Sequence, residues 1–192
     1  MGLAGWFLSQ SLISARGLGH GAIGDAGHEW TTPVRDWLAG RPRAADALLI
    51  TTSAFIDLFG LFLLGSALFG PSLRPGIALL ILFVFRQVSQ LTCALPTPPG
   101  MIWRHPGVPS LLVTYHVAND FFFSSHTAIA TLGAIEMTRA APPWLAATAI
   151  AIAALEAVTV ITLRAHYTMD VFAAIFAAFT AAAFAAAICV GF

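Results

Sequence analysis

Lysine is absent from this sequence of 192 residues, and charged residues of either sign make up only 9% of it. Soluble domains average about 25% charged residues, so this chain has too few charges to cover a water-exposed surface. Nine arginines balance nine acidic residues, which leaves no basic surplus for a nucleic-acid partner. A disordered chain is excluded because 58% of the residues are hydrophobic. The composition is that of an integral membrane protein.

Cysteine is nearly absent as well. Cys93 and Cys189 both lie in apolar stretches, where a free cysteine behaves as a small hydrophobic residue. Two cysteines in such places cannot build a disulfide framework or a cysteine-based zinc site.

Long apolar runs predict an all-α, polytopic transmembrane helix bundle, because about 20 apolar residues in a helix cross a bilayer. Five clear spans are predicted, at residues 47–70, 77–95, 122–139, 144–166 and 169–192. The preceding segment, 1–46, holds a partial helix near the N-terminus and then a polar lead-in with charges of both signs. We interpret it as an interfacial, amphipathic segment in front of a membrane domain formed by residues 47–192.

The basic residues and the alanine content also bear on location. Basicity that comes from arginine alone, together with abundant alanine, is typical of a bacterial, GC-rich genome. A bacterial inner membrane is therefore the expected location, and the face of the membrane that carries the site stays open.

Ionisable residues in or beside membrane spans are functional candidates, because placing them in lipid is costly. His126 begins the third predicted span and His166 ends the fourth, and an antiparallel hairpin brings these two ends to one membrane face. Asp170 follows His166 by four residues, so both side chains share one helical face if the helix continues or restarts there. A carboxylate there would fix the tautomer of His166 and leave one ring nitrogen free as nucleophile or base. His126 would then be the general acid.

Groups that suit a phosphate surround these histidines. Ser124 and Ser125 supply hydroxyls at a helix start, where backbone amides also favour an anion. Arg164 adds a guanidinium fork that matches phosphate oxygens. Arg86, inside the second predicted span, either reaches the same cavity or pairs with an acid such as Asp57. Together these residues predict a site for a phosphate ester.

Other interpretations of these residues stay open. Two histidines with Asp120 or Asp170 as a third ligand could hold zinc with an open position, although no H-E-x-x-H pair is present. The polar residues could also be structural, in a non-catalytic lipid-binding or scaffolding membrane protein. Trp103 is interpreted as an interface anchor, and Glu136 is expected to snorkel to water.

Two short stretches, SSHTA (124–128) and HYTMDV (166–171), resemble the catalytic motifs of a known family. That family is the sphingomyelin synthase-like branch of the type 2 phosphatidic acid phosphatase superfamily. The upstream stretch FRQVSQLTCALPTPPG (85–100) resembles the same branch. All three stretches are also similar to plant phosphatidylcholine:diacylglycerol cholinephosphotransferases.

The resemblance implies an enzyme that moves a phosphate-bearing head group from a phospholipid donor to a lipid alcohol acceptor, without a metal or another cofactor. It implies that His166 attacks phosphorus to form a phosphohistidine, that Asp170 orients His166, and that His126 transfers protons. Ser125 stands where the family usually has glycine. A lipid phosphate phosphatase, in which water replaces the acceptor, shares every one of these residues. The phosphatase branch's lysine-x6-arginine-proline motif is not evident, which favours the transferase.

Overall fold

The computed structural model describes residues 8, 11–12, 23–113, 115 and 121–190. Six helices of at least 14 residues follow one another there: α1 (Ala26–Ala39), α2 (Pro42–Phe69), α3 (Arg74–Thr92), α4 (Ser125–Ala140), α5 (Pro143–Thr162) and α6 (Thr168–Val190). The described residues contain no strand, and the predicted all-α bundle is confirmed. The partial helix predicted near the N-terminus falls largely outside the described residues.

Four helices are long and apolar enough to cross a membrane: α2, α3, α5 and α6 as far as Cys189. Their outer faces carry large apolar side chains, such as Leu68, which is 74% exposed, and Phe176, which is 71% exposed. Such a surface suits hydrocarbon rather than water. The chain is thus an integral membrane protein, with four candidate spans in the described residues where the sequence predicts five.

The third predicted span, 122–139, corresponds to α4, which is short and central. Its 16 residues rise about 24 Å, and the helix packs against α2, α3, α5 and α6. Small residues such as Ala128, Ala130 and Gly133 are buried on it and let the neighbouring helices come close. A Cβ atom at Gly133 would lie 2.3 Å from the ring of Phe59 on α2, so this contact requires glycine.

An ion-pair cluster ties α3 to the C-terminal part of α4. Glu136 is 2% exposed and accepts hydrogen bonds from Arg74 at 2.7 Å and Arg139 at 3.0 Å. The expectation that Glu136 snorkels to water is therefore wrong, because two guanidinium groups neutralise the carboxylate inside the protein.

The opposite end of the bundle gathers α1, the segment between α3 and α4, and the connection between α5 and α6. Helix α1 forms within the predicted polar lead-in, and its N-terminus is capped by Asp25, which accepts a hydrogen bond from the amide of His28 at 3.0 Å. Helix α2 then begins at Pro42, five residues before the predicted span. Proline favours this first helical position, because its missing N–H would have no partner there.

Candidate functional site

His166 lies in the connection between α5 and α6. Helix α5 ends before this residue, and not at it as predicted, because Arg164 adopts a φ of 54°, which lies in the left-handed region. The amides of Ala165 and His166 then both donate to the carbonyl of Val160, at 2.9 and 3.4 Å. This sharp turn directs His166 back toward the bundle, where the residue is 9% exposed.

The orientation of the His166 ring is set by the main chain. Its Nδ1 atom lies 2.7 Å from the carbonyl oxygen of Phe121. A carbonyl only accepts hydrogen bonds, so Nδ1 carries the hydrogen. In the neutral ring the lone pair is therefore on Nε2, and this atom is left for chemistry.

Asp170 lies in the first turn of α6, beside the same ring. Its Oδ2 atom is 3.7 Å from Nδ1 of His166, which is longer than a hydrogen bond. The same oxygen accepts a hydrogen bond from the amide of Tyr167 at 2.8 Å. The other oxygen is buried and has no hydrogen-bond partner among the described residues. The carboxylate thus closes the turn that carries His166 and places a negative charge beside the ring.

His126 is the second residue of α4 and is 6% exposed. Within the described part of the chain its Nε2 atom has no hydrogen-bond partner. The ring meets that of Trp103 edge-on, with centroids 5.0 Å apart, so this tryptophan, which is predicted to be an interface anchor, contacts His126.

The two predicted serines take different places at the start of α4. Ser124 is fully buried and caps the helix by accepting hydrogen bonds from the amide and the hydroxyl of Thr127, at 3.3 and 3.1 Å. Ser125 is half-buried and lines a small cavity together with Arg86. A contact between these two residues and a phosphate stays a prediction.

Arg164, predicted to bind phosphate, is engaged with the protein in this structure. Its two terminal nitrogens donate to the carbonyl of Pro99 at 2.7 Å and to the hydroxyl of Thr32 at 3.0 Å. Arg35 of α1 supports the same proline-rich turn by donating twice to the carbonyl of Gly100, at 3.0 and 2.8 Å. The two guanidinium groups fix the turn next to the site, and a contact between Arg164 and phosphate stays a prediction.

Helix α1 supplies two contacts that the sequence analysis missed. His28 donates from Nε2 to the carbonyl of His166 at 2.9 Å, and Asp25 accepts hydrogen bonds from the amide and the hydroxyl of Thr168, both at 2.6 Å. Asp25 is a usual helix-start residue and Glu29 adds an acid to the first turn, but the sequence analysis interpreted this segment as a polar lead-in.

A metal site would need at least three ligands. Among the residues that the structure describes, no three histidine, cysteine, aspartate or glutamate side chains form a group that could hold a metal ion. Asp120, one of the two candidate third ligands, lies outside those residues.

The sequence of the chain matches a known protein family. A family model described as AtPDCT1/2, the plant phosphatidylcholine:diacylglycerol cholinephosphotransferase, matches residues 24–187. This range contains every site residue named above. No curated protein and no solved structure matches the chain. A family that takes its name from plants gives no support to the expected bacterial inner membrane.

Proposed function

We propose that this protein transfers phosphocholine from phosphatidylcholine to diacylglycerol, because the chain belongs to the AtPDCT1/2 family of phospholipid-modifying membrane enzymes. The observation that carries the mechanism is the hydrogen bond from Nδ1 of His166 to the carbonyl of Phe121, because it leaves Nε2 free as a nucleophile. Kinship with the sphingomyelin synthase-like branch rests on the motifs around His126 and His166 and stays a prediction, as does a bacterial inner membrane.

The first half-reaction splits the donor lipid. Nε2 of His166 attacks the phosphorus of phosphatidylcholine, and the bond from phosphorus to the diacylglycerol oxygen breaks. His126, in its protonated form, gives its proton to that oxygen as diacylglycerol leaves. The ring of His166 gains positive charge when Nε2 binds phosphorus, and the carboxylate of Asp170, 3.7 Å from Nδ1, stabilises that charge.

The second half-reaction runs through the same groups in reverse. The hydroxyl of a new diacylglycerol gives its proton to His126 while its oxygen attacks the phosphorus. The bond from phosphorus to Nε2 breaks, and the electron pair returns to the ring of His166. The products are a new phosphatidylcholine and an enzyme restored to its starting protonation state.

Charge around the phosphate supplies the rest of the catalysis. Phosphoryl transfer depends mainly on positioning and on positive groups near the phosphate oxygens. We assign these oxygens to Arg86 and Ser125, since both line one cavity and Ser125 directly precedes His126. Arg164 and Ser124 hold the surrounding turn and helix start.

The test is head-group exchange in vesicles. Purified protein receives phosphatidylcholine labelled in the head group and a diacylglycerol of different acyl composition. We expect labelled phosphatidylcholine with the new acyl chains, and none from His166→Ala. His105→Gln is the matched control, because His105 is exposed in the loop. Water-soluble phosphocholine in place of a new lipid would indicate a hydrolase, and an active His166→Ala variant would overturn the mechanism.

A further inference from the structure

We infer that helix α1 is a positioning element of this site, in which His28 and Asp25 hold the backbone of residues 166–168 so that the ring of His166 points at the substrate. The inference rests on the proposed function. Neither residue belongs to the two motifs that carry the proposed chemistry.

The first observation is the hydrogen bond from His28 to the carbonyl of His166. The two atoms lie 2.9 Å apart, and the bond is buried. His28 itself is 6% exposed, and its ring lies 5.4 Å from that of Tyr167. A histidine on a helix 138 positions earlier in the chain therefore holds the peptide group of the proposed nucleophile.

The second observation is the contact between Asp25 and Thr168, which lies two residues after His166. The carboxylate of Asp25 accepts hydrogen bonds from both the amide and the hydroxyl of Thr168, each at 2.6 Å. Space for this contact comes from Gly27, where a Cβ atom would lie 2.2 Å from the hydroxyl oxygen of Thr168. The start of α1 is thus shaped to fit the start of α6.

Together these contacts hold the backbone of residues 166–168 in place. The carbonyl of His166 and the amide of Thr168 are both held by α1, and the intervening Tyr167 donates from its hydroxyl to the carbonyl of Pro96 at 3.1 Å. With the backbone anchored on both sides, the ring of His166 keeps its hydrogen bond to Phe121. Displacing a reacting group by about 1 Å can cost about 100-fold in rate.

The experiment compares two replacements of His28. His28→Phe keeps a ring but loses the donor, whereas His28→Gln can present an amide N–H near the position of Nε2. We expect His28→Phe to lower kcat by about 10- to 100-fold with KM for phosphatidylcholine nearly unchanged, and His28→Gln to restore most of the rate. Glu29→Gln, an exposed neighbour on α1, is the matched control and should behave as wild type.

Two results would overturn the inference: wild-type kcat in His28→Phe, or equal losses in both variants together with a lower unfolding midpoint. The second result would make His28 a purely structural residue. Nuclear magnetic resonance of protein with nitrogen-15-labelled histidine gives a readout that does not need activity. The Nδ1 proton of His166 should lose its hydrogen-bonded signal in His28→Phe and keep it in His28→Gln. If the wild type transfers no head group, this signal still decides the role of α1, and only the proposed function fails.

Discussion

At the scale of single residues, His126 and His166 differ in what surrounds their ring nitrogens. Nδ1 of His166 donates to the carbonyl of Phe121 at 2.7 Å, so its Nε2 is free to bind phosphorus. Nε2 of His126 is buried without a hydrogen-bond partner among the described residues and lies in a ring that packs against Trp103. The proposed division of labour, with His166 as nucleophile and His126 as proton carrier, follows from these environments.

That division predicts a substrate-dependent defect in His126→Gln. Loss of a general acid should lower kcat with phosphatidylcholine by about 10²- to 10⁴-fold. Nitrophenyl phosphocholine has a leaving group that needs no proton, so release of nitrophenol from it should remain close to the wild-type rate. Absorbance in a single-turnover experiment measures this release. His166→Gln should lose both reactions, and equal losses of both reactions in His126→Gln would contradict the assignment.

The ionisation of Asp25 makes the stability of the fold depend on pH. Burial raises the pKa of this carboxyl, but hydrogen bonds from the side chain and amide of Thr168 and from the amide of His28 outweigh burial, so the pKa lies below its ordinary value of 3.8. The charged form is thus favoured in the folded state. Its stabilisation is present above the unfolded pKa and is lost as the pH falls through the folded pKa.

We therefore expect the unfolding midpoint of the wild type to fall more between pH 6 and pH 3 than that of Asp25→Asn. The measurement is thermal unfolding in detergent at several pH values. Glu29→Gln, also acidic in the wild type but exposed, should follow the wild-type curve. Parallel curves for Asp25→Asn and the wild type would show that this carboxylate contributes nothing to acid sensitivity.

At the scale of helices, the position of α4 controls the site, because His126 begins it and four other helices pack against it. It packs closely against α2 at Gly133, which has no room for a Cβ atom next to Phe59. Helix α2 contains another glycine, Gly65, around which nothing lies within 4 Å of an added Cβ. Gly133 and Gly65 are thus both helical, but only Gly133 is closely packed.

Alanine substitutions at Gly133 and Gly65 give a matched prediction of stability. Gly133→Ala should destabilise the fold by about 1–3 kcal/mol, because the extra methyl group must displace a packed ring. Gly65→Ala should stabilise it by up to about 1 kcal/mol, because alanine favours a helix over glycine. Thermal unfolding in one detergent compares both with the wild type. A Gly133→Ala variant as stable as Gly65→Ala would show that α2 and α4 are not close there.

The helices were easier to predict from sequence than the contacts between them. Apolar runs predict α2, α3, α5 and α6, because each must match the thickness of the bilayer. Helix α1 was missed, since its mixed charges resemble a solvated lead-in. The carbonyl of Phe121 could not have been found, because every residue has a carbonyl and only the fold selects one. The same holds for His28, whose partner is another main-chain oxygen.

At the scale of the whole molecule, the two ends of the bundle have different tasks. The end that holds α1, the proline-rich turn and the connection between α5 and α6 carries the proposed site. Far from His126, the C-terminal part of α4 carries the cluster of Glu136 with Arg74 and Arg139. The proposed chemistry and this ion-pair cluster therefore lie at opposite ends of the bundle.

This separation predicts that Arg74→Gln lowers stability without altering substrate use. Losing one of the two partners of the buried Glu136 should cost about 1–3 kcal/mol, while KM for phosphatidylcholine stays at its wild-type value. Arg43→Gln is the control, because Arg43 is exposed. Unfolding midpoints and initial rates below the unfolding temperature provide the data. A raised KM in Arg74→Gln would show that the two ends communicate.

The reaction as a whole should also proceed without a metal ion. In the proposed mechanism, Arg86 and the two histidines supply the positive charge and the proton transfer. We expect head-group exchange to continue at an unchanged rate after treatment with a strong chelator and removal of the chelate by desalting. Loss of activity that returns when zinc is added back would favour the metal site instead.

The contact between Asp25 and Thr168 joins residues that lie 143 positions apart. A ribosome finishes the first partner early and must then produce α2 through α5 before the second partner emerges. His166 consequently gains this support only when the start of α6 has been made. A nascent chain that stalls before α6 therefore lacks the contact that holds the turn after His166.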